Sequence, residues 1–395
     1  MRAAALALAG VIAALAGPAV TAADELDAAI GRALFRRAWT AAPSSTRAND
    51  GLGPLFNARS CLSCHAGLDR MPIRVAPDGT VASENLVLRL SGGAGRPDPV
   101  YGRQIQTAAL PGHAPEGVAT RHPNGRIAPA RLAYGPLAPE TRAGGRLAPP
   151  LRGLGLLAAV PEDAILANAD PDDRDGDGVR GRPNIFADKR IGRFGAKAGT
   201  ATLADQVALA FSLDLGMSTA RERAPAGDCT PGQRSCLAGP HGGTAETPEI
   251  DDAIVDRLAS FLASVPPAEP KAAADTADGA RLFAAAGCAA CHVPSLPSPH
   301  GPVRAFTDLL LHDLGPALDG GATEPGVAPT EWRTAPLWGI AGALERGAGL
   351  LHDGRAKDVA AAVGLHGGEA GRSHARFAAL SPGDRRRLLD YVSGL

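Results

Sequence analysis

Two copies of the pattern Cys-x-x-Cys-His constrain this chain of 395 residues more than any other feature. Each copy follows a Gly-x-x-Leu-Phe segment, Gly31–Phe35 or Gly279–Phe283, whose apolar residues recur at helical spacing. Two thiols at this spacing can add to the two vinyl groups of haem, and the next imidazole can bind the iron. The motifs therefore predict two covalently bound haem c groups, held by Cys61, Cys64, His65, Cys288, Cys291 and His292.

Other chemistries also use paired cysteines, and they fit this pattern less well. A zinc site built from four cysteines would not need a histidine after each pair. A thioredoxin-like redox pair would require a strand–helix–strand context, which the sequence around both motifs lacks. The two remaining cysteines, Cys229 and Cys236, lie in a polar loop. They favour a local disulfide, with a pair of free thiols as the alternative.

Further matched segments extend the internal repeat beyond the haem motifs. Pro150–Leu154 parallels Pro336–Ile340, and each is a Pro-Leu-x-Gly segment. A helical stripe at Ile254–Leu262 parallels another at Leu388–Val392. Each half of the chain therefore predicts a helix, a haem motif, a Pro-Leu-x-Gly segment and a closing helix.

This repeat predicts a mainly α fold with two cytochrome c-like domains. We expect the first at residues 23–268, where the Gly-, Pro- and Arg-rich part at 70–150 should form long irregular loops with short helices or strands, and the second at 269–395. Prolines and an Ala/Asp stretch at 266–276 indicate the linker between them.

The N-terminus predicts export. Arg2 precedes an apolar run from Ala3 to Ala16, and small residues suit cleavage after Ala22, so residues 1–22 are expected to be a signal peptide. A periplasmic location follows. No later segment approaches the length of a membrane span, so we expect none in the mature chain. The net charge of −1 indicates neither a nucleic acid nor an anionic membrane as partner.

The segment Gly51–His65 resembles the first haem segment of the bacterial di-haem oxidoreductase family, whose members are described as peroxidases or thiol oxidoreductases. The resemblance extends to Thr307–Gly315, Glu331–Ile340, Leu351–Ala356 and His366–Ala370 and covers nearly all of the mature chain. More remotely, the chain is similar to di-haem cytochrome c peroxidases and to the methylamine dehydrogenase maturation enzyme. The resemblance implies that one haem passes electrons while peroxide reacts at the other, where a Glu or Gln moves a proton.

Two positions depart from the family pattern. Leu314 replaces a common Met, and Ala196 replaces a Trp that could relay electrons between haems. Trp332 or Trp338 could take over such a relay, although packing against the core or a porphyrin is the favoured interpretation.

The first haem is the expected site of peroxide reaction, because the first half holds the long polar insertions. Gln104 and Glu116 are the catalytic candidates there, and the alternative is that they only anchor loops. Met71 and Met217 are candidate ligands of that haem, although a Met is more often a packing residue.

His366 is the candidate sixth ligand of the second haem. In the di-haem peroxidases that the chain resembles, this ligand follows a His-Asp-Gly turn by fourteen residues, and His366 stands in that relation to His352. Residues 357–365 predict a helix that ends just before it. The alternative is a histidine that caps this helix.

The acidic run at 170–178 has the spacing of a calcium loop, with Asp173, Asp175 and Asp177 as ligands, Gly178 at the sixth position and Asn184 at the twelfth. A solvated acidic turn is the alternative.

The function expected from these features is a periplasmic di-haem oxidoreductase with peroxidase-like chemistry. A small redox protein would donate the electrons, and an oxidant such as hydrogen peroxide would accept them. Two alternatives stay open: a pure electron-transfer cytochrome, and a non-enzymatic partner of an envelope iron-uptake system.

Overall fold

The computed structural model of this chain describes residues 22–244, 246–271 and 276–395. The predicted signal peptide lies outside these residues except for Ala22, and so do residues 272–275 of the predicted linker. The α-helices are α1 (Ala22–Arg36), α2 (Cys61–Cys64), α3 (Leu154–Ala158), α4 (Glu162–Leu166), α5 (Leu203–Leu215), α6 (Arg234–Leu237), α7 (Asp252–Ser264), α8 (Ala277–Ala285), α9 (Ile340–Glu345), α10 (Val359–Gly364), α11 (Gly371–Ala379) and α12 (Pro382–Gly394).

The strands are short and antiparallel. They are β1 (Leu55–Phe56), β2 (Leu86–Ser91), β3 (Gln104–Ile105), β4 (Ala108–Ala109), β5 (Val118–Arg121), β6 (Ile127–Ala130), β7 (Arg142–Leu147), β8 (Asn184–Ile185), β9 (Ile191–Gly192), β10 (Leu311–Asp313) and β11 (Glu331–Arg333). β2 lies between β3 and β7 in a three-stranded sheet, and the other strands form the pairs β1–β4, β5–β6, β8–β9 and β10–β11.

The expectation of a mainly α fold is wrong. The structure is 32% helical and 15% strand, and the strands form several small sheets. The segment at 70–150, expected to consist of long loops with short helices or strands, contains β2 to β7, of which β2 and β7 are six residues long.

The physical reason lies in how these strands are packed. Along β2, Leu86, Leu88 and Leu90 are buried on one face, as the period of two requires. Its partner β7 has the sequence Arg-Ala-Gly-Gly-Arg-Leu, which lacks this alternation of buried apolar side chains. The backbone of its glycines packs in the interior instead. A Cβ atom on Gly145 would lie 2.7 Å from the Cβ atom of Ile127. A composition rich in Gly and Arg therefore concealed a buried strand.

Each half of the chain packs its first helix against its closing helix in the same way. In the first half, α1 crosses α7 at Gly31, where a Cβ atom would lie 2.0 Å from the carbonyl oxygen of Arg257. In the second half, α8 crosses α12 at Gly279, where a Cβ atom would lie 2.5 Å from that of Tyr391. Only glycine allows these two close crossings.

The two Pro-Leu-x-Gly segments also correspond. Gly153 and Gly339 both have positive φ, at 72° and 81°, and each precedes a short helix, α3 or α9. Their backbone N–H groups donate to Val265 and Leu395, each just after the closing helix of its half. The internal repeat is therefore visible in the packing, whereas the two domain boundaries stay a prediction.

Cys229 and Cys236 form a disulfide in the structure, as the sequence predicts. Among the described residues, no helix is long and apolar enough to cross a membrane.

Candidate functional site

The first Cys-x-x-Cys-His motif forms the single turn α2 and the residue after it. Ser60 caps this turn, because its hydroxyl accepts a hydrogen bond from the N–H of Ser63 at 3.2 Å. The backbone N–H of His65 donates to the carbonyl of Cys61, and its Nδ1 lies 3.1 Å from the carbonyl oxygen of Pro149. With Nδ1 donating there, Nε2 of His65 is the nitrogen left to bind a metal.

The second motif has the same arrangement. A short 3-10 helix at Cys288–Ala290 follows Gly287, which has a φ of 83°. The N–H of His292 donates to the carbonyl of Cys288, and its Nδ1 lies 2.9 Å from the carbonyl oxygen of Phe306. Again Nε2 is left for a metal, and the tautomer is set by a backbone carbonyl.

Electrostatics suit both imidazoles to metal binding. Burial lowers the pKa of His65 and that of His292 to about 4, so both rings are neutral at pH 7. The four thiols of the motifs form no disulfide. Burial and then the charge of Asp214 raise the pKa of Cys61 to about 12, which keeps this thiol neutral and places Asp214 close to the first motif.

Asp214 is a residue near the first motif that the sequence analysis missed. It lies near the end of α5, where its Oδ1 accepts a hydrogen bond from Nε2 of Gln104 at 2.8 Å. Burial raises the pKa of this carboxyl group. The available signal was a carboxylate in a helical segment, Phe211–Leu215, whose other residues are apolar apart from Ser212. Of the two predicted catalytic residues, the structure therefore brings Gln104 toward the first motif.

Glu116, the other predicted catalytic residue, is only 1% exposed. One carboxylate oxygen accepts from the backbone N–H of Gln106 at 2.6 Å, and the other accepts from Nε2 of Gln233. Glu116 thus joins the segment after β3 to the loop closed by the disulfide. This geometry suits the alternative of a loop anchor, and a catalytic role for Glu116 stays a prediction.

His312 lies beside the second motif, and its part in the site was also missed. The residue is only 2% exposed. Its Nε2 lies 2.8 Å from Oδ2 of Asp308, and its Nδ1 lies 2.8 Å from Oε2 of Glu369. The same Nδ1 lies 3.7 Å from Sγ of Cys291. Burial works against a charged ring, but the hydrogen bonds with these partners prevail and raise the pKa of His312 to about 12. Two carboxylates facing both ring nitrogens hold the ring as an imidazolium.

His366 lies on the same side of the molecule. The predicted helix before it is α10, and Nδ1 of His366 lies 2.7 Å from the carbonyl oxygen of Ala362, which leaves Nε2 for a metal. Burial lowers the pKa of His366, and its charge is one of the causes that lower the pKa of His292. Glu369, three residues later, ties this segment to His312. The structure thus brings His366 toward the second motif.

The three predicted calcium ligands lie together. One oxygen each from Asp173, Asp175 and Asp177 lies within 4.8 Å of the others. Asn184, at the twelfth position of the predicted loop, lies in β8, and its Nδ2 donates to the carbonyl of Ala198 at 3.0 Å. The geometry therefore allows a three-carboxylate cation site, and calcium binding stays a prediction.

Two partly buried cations fit a cofactor that carries carboxylates. Arg70, five residues after His65, donates to the carbonyls of Gly349 and Leu351. Arg333 donates to the carbonyls of Gly195 and Thr334. Neither forms an ion pair with a carboxylate in the described part of the chain, and burial lowers the pKa of each to about 10. The propionates of haem are groups that could neutralise such charges.

Comparison with known families decides the class of protein. Residues 135–395, more than half of the chain, match the family described as "Di-haem oxidoreductase, putative peroxidase". The chain belongs to this family. Membership confirms the resemblance seen in the sequence, makes the chain an oxidoreductase and implies two haem cofactors.

Solved structures show weaker likenesses to this family member. Hydrazine synthase from Kuenenia stuttgartiensis is 15% identical, with 45% of this chain and 65% of that chain covered and a TM-score of 0.27, so the match spans less than two thirds of that protein. The diheme peroxidase BthA from Burkholderia thailandensis is also 15% identical. This match covers 94% of this chain and 86% of that chain, with a TM-score of 0.44. Similarity at this level carries no functional argument. No curated protein matches the chain significantly.

Proposed function

We propose that this chain is an exported di-haem c oxidoreductase with peroxidase activity. The observation that carries the proposal is the pair of motifs, each of which presents two thiols and a neutral imidazole oriented by a backbone carbonyl. When bound, haem supplies one-electron chemistry and an iron position at which peroxide can react. Cys61, Cys64 and His65 would hold one group, and Cys288, Cys291 and His292 the other.

Proton transfer at the first site is the task of Asp214 in this proposal. Its carboxyl group lies close to the thiols of the first motif, and burial raises its pKa, so its carboxylate is a stronger base than an ordinary one. Gln104 donates to Oδ1 and so leaves Oδ2 as the atom that can carry the proton. A carboxyl group of this kind can accept a proton from one oxygen of a peroxide and return it to the other.

The second site passes electrons in this proposal. His366 would bind its iron through Nε2, because its ring lies close to His292 and its Nδ1 is already bound to a carbonyl. A small redox protein donates two electrons, and hydrogen peroxide takes these electrons and two protons from solvent and leaves as two water molecules. Calcium in the acidic loop would support this half, because Glu369 accepts from the N–H of Arg180, which lies within the predicted calcium loop, and from His312.

Peroxide turnover by the holoprotein, with a reduced cytochrome or a reduced dye as donor, tests this function. Replacing Asp214 by Asn removes the titratable oxygen but keeps the hydrogen bond from Gln104, so we expect turnover to fall about 10²–10⁴-fold. Asp205→Asn on the same helix is the matched control, because Asp205 pairs with Arg190 at the surface. Parent-like turnover in Asp214→Asn would remove Asp214 from the mechanism, and a parent without turnover would contradict the peroxidase function.

Glu116→Gln examines the other candidate in the same assay. If Glu116 moves the proton, turnover falls while the haem spectra and the melting temperature stay those of the parent. If it is a loop anchor, the melting temperature falls, because one of its two N–H partners loses its acceptor.

A further inference from the structure

A stacked aromatic pair, Trp332 and His352, lies between the two haem motifs. Their ring centroids are 3.8 Å apart and their planes differ by 14°. On one side, the carbonyl of His352 accepts from the N–H of Leu147, two residues before Pro149, whose carbonyl accepts from His65. On the other side, Trp332 in β11 is the direct partner of His312 in β10, which contacts Cys291. Each motif is thus a short chain of contacts away from the pair.

Two cations lie against the indole ring of Trp332. Nζ of Lys197 lies 3.8 Å from the ring centroid, and Cζ of Arg146 lies 4.7 Å from it. Trp332 and Arg146 are largely buried, and Lys197 is fully buried, at 0% exposure. Water therefore screens these charges poorly, and both act on the ring at close range.

No carboxylate of the described residues lies within ion-pair distance of these cations, and Glu324 and Asp319 act on both from farther away. Lys197 donates to the backbone carbonyls of Ala328, Pro329 and Glu331, and Arg146 donates to those of Gly145, Gly320 and Ala322. Neither side chain forms an ion pair in the described part of the chain. Burial and then the charges of Arg146, Arg355, Lys197 and Arg70 lower the pKa of the stacked His352 ring. Positive charges therefore dominate at that ring, and the surroundings of Trp332 are electropositive.

The indole N–H of Trp332 has no base to receive its proton. Nε1 donates at 2.8 Å to the carbonyl oxygen of Leu318, which is a neutral acceptor. Loss of one electron from the ring would leave a radical cation beside two positive charges, and its proton could not leave to a basic group. The stacked His352 ring adds no negative charge. Oxidation of Trp332 is opposed on both counts.

We propose that Trp332 is a closed-shell bridge, which couples the two haem motifs electronically and is itself protected from oxidation by Lys197 and Arg146. An electron that passes between the sites crosses the stacked rings in one step, and no electron is removed from the indole to stay there as a hole. This inference rests on the proposed function, because it assumes a strong oxidant at one site.

The test is peptide mapping of oxidised tryptophan in the holoprotein after hydrogen peroxide is added without an electron donor. It is made at pH 6, because burial and then Arg146 lower the pKa of Lys197 to about 7. In the parent we expect Trp332 to stay unmodified. Trp338 serves as the internal comparison. It is similarly buried, at 8% exposure against 6% for Trp332, but among the described residues no cation lies over its ring.

Lys197→Met removes the nearer charge and keeps an unbranched side chain of similar length. We expect at least a tenfold rise in oxidised Trp332 and a tryptophan radical in the electron paramagnetic resonance spectrum, which a further Trp332→Phe change abolishes. Lys357→Met, at an exposed lysine, is the control and should match the parent. A Trp332 radical or oxidised Trp332 in the parent would overturn the proposal, even if the Lys197→Met variant failed to fold. Unmodified Trp332 in a folded Lys197→Met variant would also overturn it.

Failure of the proposed function is distinguishable from failure of the bridge. If peroxide changes the haem spectrum in no variant, the peroxidase function is wrong. The bridge is then tested with a photochemically generated ruthenium(III) polypyridyl oxidant, which removes single electrons without peroxide. As with peroxide, we expect more oxidation of Trp332 in the Lys197→Met variant than in the parent. Equal oxidation of Trp332 in the two proteins would overturn the proposal of a protected bridge.

Discussion

At the scale of single residues, two histidines near the second motif have opposite electrostatic surroundings. His366 is a partly buried ring whose pKa is lowered by removal from water, whereas His312 is a buried ring held between two carboxylates. A metal ligand must be neutral, and a fixed cation must be paired. The sequence shows ten histidines without these distinctions, because they depend on carbonyls and carboxylates that approach from distant segments.

His366→Ala should convert one low-spin haem signal to a high-spin one. The reason is that the iron would lose its sixth ligand, while Nδ1 of His366 makes only one bond to a carbonyl. Electron paramagnetic resonance of the oxidised holoprotein measures this change. His300→Ala, at an exposed histidine, is the control. A spectrum of His366→Ala identical to that of the parent would place His366 away from the iron.

His312 predicts a pH dependence of stability. Its folded-state pKa is raised to about 12 against an ordinary value of 6.5, so its contribution is complete below pH 6.5 and is lost as the pH rises toward 12. The free energy of unfolding should therefore fall between pH 7 and pH 9, by up to about 1.4 kcal/mol per pH unit. Asp308→Asn weakens the imidazolium, so denaturation midpoints of this variant should fall less steeply over that range. Equal slopes would contradict a protonated His312.

At the scale of elements, helices with a clear apolar stripe are the part that the sequence predicts well. The first and closing helices of both halves stand where their periodicity places them, and α10 stands just before His366. Short strands were expected at 70–150, but their bounds could not be predicted, because glycine backbones, and not apolar side chains, fill the space between β7 and its neighbours. Asp214 was missed for a related reason, since only the fold brings the end of α5 to the first motif.

The crossing of α8 and α12 gives a prediction of its own. Gly279→Ala would place a Cβ atom 2.5 Å from that of Tyr391, so it should destabilise the chain by about 1–3 kcal/mol and loosen the second motif. Gly371→Ala in α11 is the matched control, because no atom lies within 4 Å of its added Cβ. It should stabilise by about 0.5–1 kcal/mol. Chemical denaturation of both variants measures the difference, and equal effects would contradict the close crossing.

The acidic loop predicts that chelation lowers the melting temperature. Asp173, Asp175 and Asp177 repel one another at the distances observed unless a cation lies between them. A chelator should therefore lower the melting temperature of the parent by several degrees and leave that of Asp175→Asn nearly unchanged. Elemental analysis that finds no calcium, together with an unchanged parent melting curve, would exclude the site.

At the scale of the whole molecule, the chain uses one module twice and joins the copies through buried contacts. Each copy orients its motif histidine with a backbone carbonyl and braces its first helix on its closing helix at a glycine. The path from His65 to Cys291 runs through Pro149, the His352–Trp332 stack and His312. The duplication could be predicted from repeated motifs, whereas this path could not, because it depends on pairing between β10 and β11.

The measurement that tests the central claim most directly is mass spectrometry of the acid-denatured holoprotein and of its proteolytic peptides. The account predicts a chain that carries the mass of two haem groups, with one on the peptide containing Cys61 and Cys64 and one on the peptide containing Cys288 and Cys291. Cys64→Ala and Cys291→Ala should each disrupt attachment at their own motif alone. Unmodified thiols in either motif of the purified holoprotein would contradict the account.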